Sequence, residues 1–259
     1  MLNSLLAACN AFKEAVNSTF IVDNRYQIFL TGIQNTLLIT VGALAVGVIL
    51  GVLVAITRVY YLQYGPYSFW KSLGGFLKTG RIEYLSQALQ KLINVFLGAY
   101  LTVFRGTPVV VQLMIWAFVV FSRTNELVVA IIGFGINSGA YVAEIVRAGI
   151  MAVDKGQTEA SRSLGLSGLA TMRLIVLPQA FKNILPALGN EIIALVKETS
   201  IAGYIAVTDL TKAASLVRAR TFDAFVPLLF VAAVYLLMVL LLTAVQQKIE
   251  KAMRTGDRR

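Results

Sequence analysis

Residues 159–178 read EASRSLGLSGLATMRLIVLP. The stretch mixes charges, hydroxyls and two glycines, and it lies between runs as apolar as 128–136 and 228–245. A chain that only needed to turn between two greasy segments could do so in a few residues, so this one describes a folded element outside the lipid. Thr158 to Leu164 is compatible with a helix, Gly165 supplies the left-handed position that closes it, and Ser167 can cap a second helix. That second helix is expected to run until Pro178 forbids its continuation. Leu164, Leu166 and Leu169 cluster at the bend, while Met172, Ile175 and Val176 recur at helical spacing beyond it. Either these residues pack the knuckle back onto its own bundle, or they offer a soluble partner an apolar tip ringed by Glu159, Arg162 and Arg173.

The rest of the chain belongs in lipid. Its 259 residues are 58% hydrophobic and 14% charged, with a mean hydropathy of +0.75, more apolar and less charged than an ordinary globular domain. A spanning helix needs about 20 mostly apolar residues, because the hydrocarbon layer is ~30 Å thick and each residue rises ~1.5 Å. The expected fold is all-α: one polytopic transmembrane bundle over 1–259 with spans at about 28–57, 108–124, 127–150, 184–207 and 225–245. A polar insert, 60–91, is expected along the membrane surface. It is followed by two half-length apolar pieces, 92–104 and 109–121, separated by Arg105-Gly106-Thr107-Pro108. Thr107 can cap the second piece and Pro108 can occupy its first turn, which favours a structural role for this tetrapeptide over an anion site. In the first span, Gly47 and Gly51 are spaced to permit close approach of another helix.

The formal charge of +10 does not indicate nucleic acid, because most of the 23 Lys and Arg residues lie beside apolar spans. Arg58, Lys71, Lys78, Arg81, Lys91 and Arg105 form one group; Arg147, Lys155, Arg162, Arg173 and Lys182 a second; Lys248, Lys251, Arg254, Arg258 and Arg259 a third. Five spans put all three on one side, which the positive-inside bias makes the cytoplasm. The N-terminus is then outside, the C-terminus inside, and the loop 154–182 cytoplasmic. With no His and a single cysteine, Cys9, the chain has neither an intramolecular disulfide nor a His or multi-Cys metal site. Leu6-Ala7-Ala8-Cys9 looks like a lipoprotein cleavage site but lacks a basic start and a long apolar run, so an interfacial N-terminal helix is expected.

Glu159-Ala160-Ser161, three residues, Gly165, nine residues, then Ile175-x-Leu177-Pro178 resembles the "EAA" signature of permease subunits in bacterial ATP-binding-cassette importers, with Ser161 in place of the third-position Ala. The segments YLTVFRGTPVVVQL (100–113), GAYVAEIVRAGI (139–150) and LPQAFKNILPALGNEIIALVKETSI (177–201) are similar to its polar amino acid uptake branch, the histidine, glutamine and arginine type, and the similarity runs from Thr31 to Lys248. Thr102 stands where members usually carry an acid, Glu198 and Ile201 replace the commoner Asp and Leu, and the 60–91 insert is long. The resemblance implies a type I importer fold in which the knuckle is a coupling helix seated on a cytoplasmic ATPase, with Glu159, Ala160, Ser161, Arg162, Leu164, Gly165 and Leu166 at the contact. It further implies two copies of that cytoplasmic ATPase, a second permease subunit (identical or paralogous) and an extracytoplasmic solute-binding protein, with this chain in the bacterial inner membrane. No G-x-x-x-x-G-K-[ST] pattern occurs, and Lys78-Thr79-Gly80-Arg81 lacks its spacing. ATP and its magnesium therefore belong to the partner, and this chain holds no cofactor.

Charges within a span cost about 2.5–3.5 kcal/mol each on insertion scales and mark cavities or partners. The fourth span carries Asn190, Glu191, Lys197, Glu198, Thr199 and Ser200. Glu191 and Glu198, seven apart, share a face, and Lys197 lies about 100° from Glu198. A mixed-sign lining of this kind suits the carboxylate and ammonium of an amino acid, the competing readings being a salt bridge between spans or simply residues near the outer surface. Glu144 and Arg147, three apart, are expected to pair or to brace the knuckle. Pro186 and Gly189 allow irregular backbone nearby. The alternative function is an ion-coupled carrier or channel without an ATPase, which predicts an internal hydropathy repeat or acidic rows in several spans. An intramembrane enzyme lacks a nucleophile beside a base, and a pure scaffold has no use for the charges of span four.

Overall fold

A computed structural model of the chain describes residues 2–65 and 68–256; residues 66 and 67 of the expected insert, and Arg258 and Arg259 of the basic tail, lie outside them. Every regular element among the described residues is helical. Helix α1, Leu2–Phe20, leads through a 3-10 turn, Val22–Asn24, to α2, Tyr26–Tyr64. Asp23 and Asn24 take positive φ and break the two rods apart, and Arg25 pins the break by donating to the Ser18 carbonyl at 2.7 Å and to Asp23 at 2.8 Å. The expected insert is a helical hairpin. Helix α3, Phe69–Thr79, closes at Gly80 with φ +65° and returns as α4, Ile82–Gly106. Ser72 bonds Gln87 across it at 3.2 Å.

Here the structure corrects the sequence reading. The apolar piece 92–104 is no separate element, because the polar residues from Ile82 to Lys91 are good helix formers and nothing before Gly106 breaks the backbone. A change in hydropathy is not a stop signal. The Thr107 hydroxyl also donates back to the Val103 carbonyl at 2.8 Å. After Pro108, α5 (Val109–Ile115) widens into a π turn, Trp116–Val120, and α6 covers Glu126–Met151. Next come α7 (Lys155–Ser163), α8 (Gly168–Thr171), a π turn (Met172–Val176) and α9 (Leu177–Glu198). Pro178 does not end the second knuckle helix. It lies in the first turn of α9, directly after the π turn in which Leu177 N–H reaches back five residues to Met172, so a missing donor and a ring there cost little. A 3-10 run, Thr199–Ile205, then precedes α10 (Leu210–Thr221), which the sequence reading did not anticipate, and α11 (Phe225–Gly256).

Three helical stretches, Val22–Leu62, Glu126–Met151 and Phe225–Met253, are long and apolar enough to cross a membrane, and the pair Ile82–Gly106 and Val109–Val120 makes a fourth if its sharply broken pieces count as one span.

The chain forms two compact units, each discontinuous. The first comprises Met1–Ala43, Val110–Phe134 and Ile192–Ile249. Its core gathers Phe29, Leu210, Ala213, Ala214, Val217 and Val231, with Phe20, Phe29 and Phe230 packed as a triad at 4.9–5.4 Å. Asp209 caps α10 by accepting from the Thr211 and Lys212 amides, and Thr36 accepts from Leu210 N–H. The second unit comprises Leu44–Val109, Gly135–Glu191 and Glu250–Arg259. One cluster there joins α2, α6 and α9 through Ala55, Val59, Val142, Val146, Ile150, Val176 and Ala180, and another joins α2, α4 and α6 through Val54, Leu101, Ala140 and Ala143. The Gly47-x-x-x-Gly51 spacing finds its partner in α6: a Cβ on Gly51 would stand 2.6 Å from Val142 Cβ and 2.8 Å from the Gly139 carbonyl.

A side chain at residue 51 has to displace backbone. Gly51→Val is expected to cost about 1–3 kcal/mol as an overpacked contact, read as a lower Tm of the purified protein. Gly74→Ala, built into open space on α3, should leave Tm unchanged or slightly raised.

Candidate functional site

The knuckle is built from caps. The Asp154 carboxylate accepts from Gly156 N–H at 2.7 Å and starts α7. At the other end Leu166 N–H reaches the Ser161 carbonyl at 3.1 Å and Gly165 N–H the Arg162 carbonyl at 3.0 Å, a double closure that requires the positive φ of Gly165, +85°. Ser167 then caps α8 by accepting from Ala170 N–H at 3.2 Å. Ser161, alone among the expected contact residues in being buried, faces inward: its Oγ is 2.9 Å from the Thr158 carbonyl and 3.1 Å from Thr171 Oγ1, which ties α7 to α8. Arg162 is exposed and turns its guanidinium back onto the Leu166 carbonyl at 3.0 Å. Glu159, Ala160 and Gly165 are exposed and Leu166 is half-buried. Two of the leucines at the bend, Leu164 and Leu169, do not fold back onto the protein. Leu164 is 85% and Leu169 81% exposed, so the element ends in an apolar tip on either side of Gly165.

The charged residues of α9 fall in two places. Asn190 and Glu191 belong to the second unit, where Ser138 of α6 donates to Glu191 Oε1 at 2.7 Å. Glu191 thus meets α6 through a neutral hydroxyl. Lys197, Glu198, Thr199 and Ser200 belong to the first unit. Lys197 is exposed, Glu198 and Ser200 are half-buried, and Thr199 is buried with its hydroxyl donating to the Val196 carbonyl at 2.6 Å. Glu144 and Arg147 pair as expected: Arg147 donates Nε to Glu144 Oε1 at 3.0 Å and adds a second, shorter contact to the same oxygen through Nη2. Sequence reasoning missed Ser138 and its neighbour Asn137, which donates to the Phe104 carbonyl at 3.0 Å. Two adjacent polar side chains in an otherwise apolar span were the available signal.

Helices of spanning length, joined to a hydrogen-bonded elbow with an exposed apolar tip, define an integral membrane component. Residues 85–255 match the family described as binding-protein-dependent transport system inner membrane components, and the chain belongs to that family. It is 41% identical over 162 residues to the arginine transport system permease protein ArtQ of Bacillus subtilis, covering 61% of this chain and 74% of that one. To a permease protein named for glutamine transport, GlnP, from Rickettsia typhi it is 39% identical over 166 residues, 62% of this chain and 76% of the relative. A crystal structure described as an amino acid ABC transporter with histidines superposes with a TM-score of 0.73 at 34% identity, covering 90% of this chain and 98% of that one. The family resemblance carried by the Glu159–Pro178 spacing is thus borne out: the chain is an ATP-binding-cassette importer permease, with ATP hydrolysis left to a separate subunit.

Gly165→Val forces a β-branched residue to positive φ, a conformation that costs L-residues about 1–2 kcal/mol. Hydrogen exchange of the Leu166 amide, which closes the bend, should quicken. In Leu164→Ala, which leaves the turn backbone free to form, it should not.

Proposed function

We propose that this chain is the membrane-spanning half-channel of an importer for a polar amino acid in the bacterial inner membrane, a single permease domain crossing five times with its N-terminus outside and its C-terminus in the cytoplasm. α9 and the 3-10 run after it supply the fourth crossing, despite their charges. The observation that carries the proposal is the exposed pair Leu164 and Leu169 on a bend locked by Gly165. Two fully exposed leucines on a rigid projection forgo about 1.5–3 kcal/mol each of burial, which a groove on an ATPase recovers.

Under this reading Glu159, Ala160, Arg162, Leu164, Gly165 and Leu166 meet the ATPase, and Ser161 holds the knuckle rigid from within. A solute-binding protein delivers cargo to the outer mouth. ATP binding, with magnesium, clamps two ATPase copies, and paired knuckles on this chain and on a second permease, a copy or a paralogue, shift the bundle between outward-open and inward-open states. Asn190, Glu191, Lys197, Glu198, Thr199 and Ser200 line the route, with acids placed for the cargo's ammonium. Relatives named for arginine and glutamine support an amino acid as the cargo class.

The test is reconstitution of the permease with its ATPase and binding protein in proteoliposomes. Cargo-stimulated ATP hydrolysis and uptake are expected; uptake by the permease alone under an ion gradient would overturn the proposal. Leu164→Glu with Leu169→Glu should abolish capture of the ATPase in a pull-down. Glu191→Gln with Lys197→Gln should assemble normally yet lose uptake by roughly tenfold or more, the rate equivalent of about 1.4 kcal/mol.

A further inference from the structure

Arg58 of α2, Thr102 and Arg105 of α4 and Glu144 of α6 wall an open cavity of about 480 Å³, bordered by Gly98 and Gly106. All belong to the second unit. The cavity's charges do not balance. Glu144 Oε1 is taken twice by Arg147, and Oε2 stands 3.9 Å from Arg105 Nη1, beyond hydrogen-bond length. Arg105 is steadied over the Tyr141 ring, 5.5 Å from its centroid. Arg58 Nε is buried with no hydrogen-bond partner. One carboxylate therefore answers three guanidinia, and two of the three line the cavity.

Apart from Leu101, the walls between those guanidinia are kept small. A Cβ on Gly98 or Gly106 would meet nothing within 4 Å, and the Thr102 hydroxyl turns back to the Gly98 carbonyl at 2.9 Å instead of filling the space. Helix α4 belongs to the candidate broken span. A guanidinium on a small-residue face of such a helix is a poor surface for acyl chains and a good one for a water-filled route. Guanidinium forks bind oxyanions through paired N–H donors, and more strongly when partly withdrawn from water.

We propose that this cavity is an oxyanion station that takes the carboxylate of the cargo amino acid, with Arg58 and Arg105 as donors. The assignment rests on the importer reading above. A lipid phosphate has the same chemistry, and the experiment separates the two sources.

The transporter complex carrying Cys9→Ser and Thr102→Cys is placed in nanodiscs of phosphatidylcholine. The new thiol is then labelled with an anionic sulfonatoethyl or a cationic trimethylammonioethyl methanethiosulfonate, each rate normalised to that of free cysteine. The anionic reagent is expected to react about tenfold faster, as local charge steering allows. Adding Arg58→Gln or Arg105→Gln should bring the ratio towards one, and Arg105→Lys should preserve most of it. A mixture of the nineteen amino acids that lack a thiol should slow the labelling, and the matching α-carboxamides should not.

A ratio near one with both arginines present overturns the station. Equal protection by acids and amides, or none by either, overturns the carboxylate assignment. Protection that follows added phosphatidylglycerol and not amino acids gives the site to lipid and overturns the cargo assignment. ATP-driven uptake by the unaltered complex is measured beside these. Its absence sinks the importer reading whatever the labels do, whereas its presence with a failed label ratio sinks the station alone.

Discussion

The close approach of α2 to α6 at Gly47 and Gly51 is the contact on which the second unit depends. At Gly51 the backbone of α2 comes so near Val142 and the Gly139 carbonyl that no side chain fits between them. In lipid, where water supplies no hydrophobic drive between helices, such small-residue contacts let packing and interhelical hydrogen bonds act at short range. The polar atoms of α6 are then spent on its neighbours. The Ile136 carbonyl accepts from Tyr100 at 2.6 Å, Asn137 holds the Phe104 carbonyl and Ser138 holds Glu191. Three consecutive residues of α6 thus fasten α4 and α9, and they do so beside the glycine contact that fixes α6 against α2.

The knuckle answers the opposite demand, because it must stay folded where little of the chain surrounds it. Its solution is local closure. Asp154 and Ser167 satisfy helix N-termini, the Gly165 turn satisfies a C-terminus, and the Ser161–Thr171 bridge joins the two short helices. Because hydrogen bonds supply this stability, the leucines at the tip are not needed to hold the element together. That frees Leu164 and Leu169 to stay in solvent.

What could be read in the sequence follows from the range of the forces involved. The Gly165 turn and the Ser167 cap are decided by neighbours within five residues, and both are present as read. The Gly47–Gly51 spacing announced a close contact, although only the fold names α6 as the partner. Elements controlled at longer range were misread. A shift from polar to apolar at Leu92 looked like a boundary, yet propensity carries α4 straight through it. Pro178 looked like a stop, yet the π turn before it moves the proline into a first helical turn. Helix α10 was missed because its anchors lie far away in sequence, Thr36 on its first amide and Asn35 on the Thr208 carbonyl at 2.9 Å. Among the candidate site residues, Ser161 shows why residue type alone falls short: a hydroxyl in a signature reads as a contact, and only packing shows that it faces inward.

These local facts constrain how force could travel in the proposed importer. α7 joins α6 through the short 152–154 link, and α8 passes through the π turn into α9 without leaving helical geometry. Val176 and Ala180 are buried against Val142, Val146 and Ile150, so the roots of both arms are clamped together. A load on the tip therefore cannot bend the knuckle cheaply, since that would break either the clamp or the Gly165 closure; it is passed on to α6 and α9 as a pair. The Ser138–Glu191 bond lies between those two helices, in the part of the unit that such a load would reach. Under the proposed reading, an element closed within itself and clamped at its roots passes a push on its tip to α6 and α9. For a subunit whose ATP is hydrolysed by a separate partner, that is the mechanical requirement.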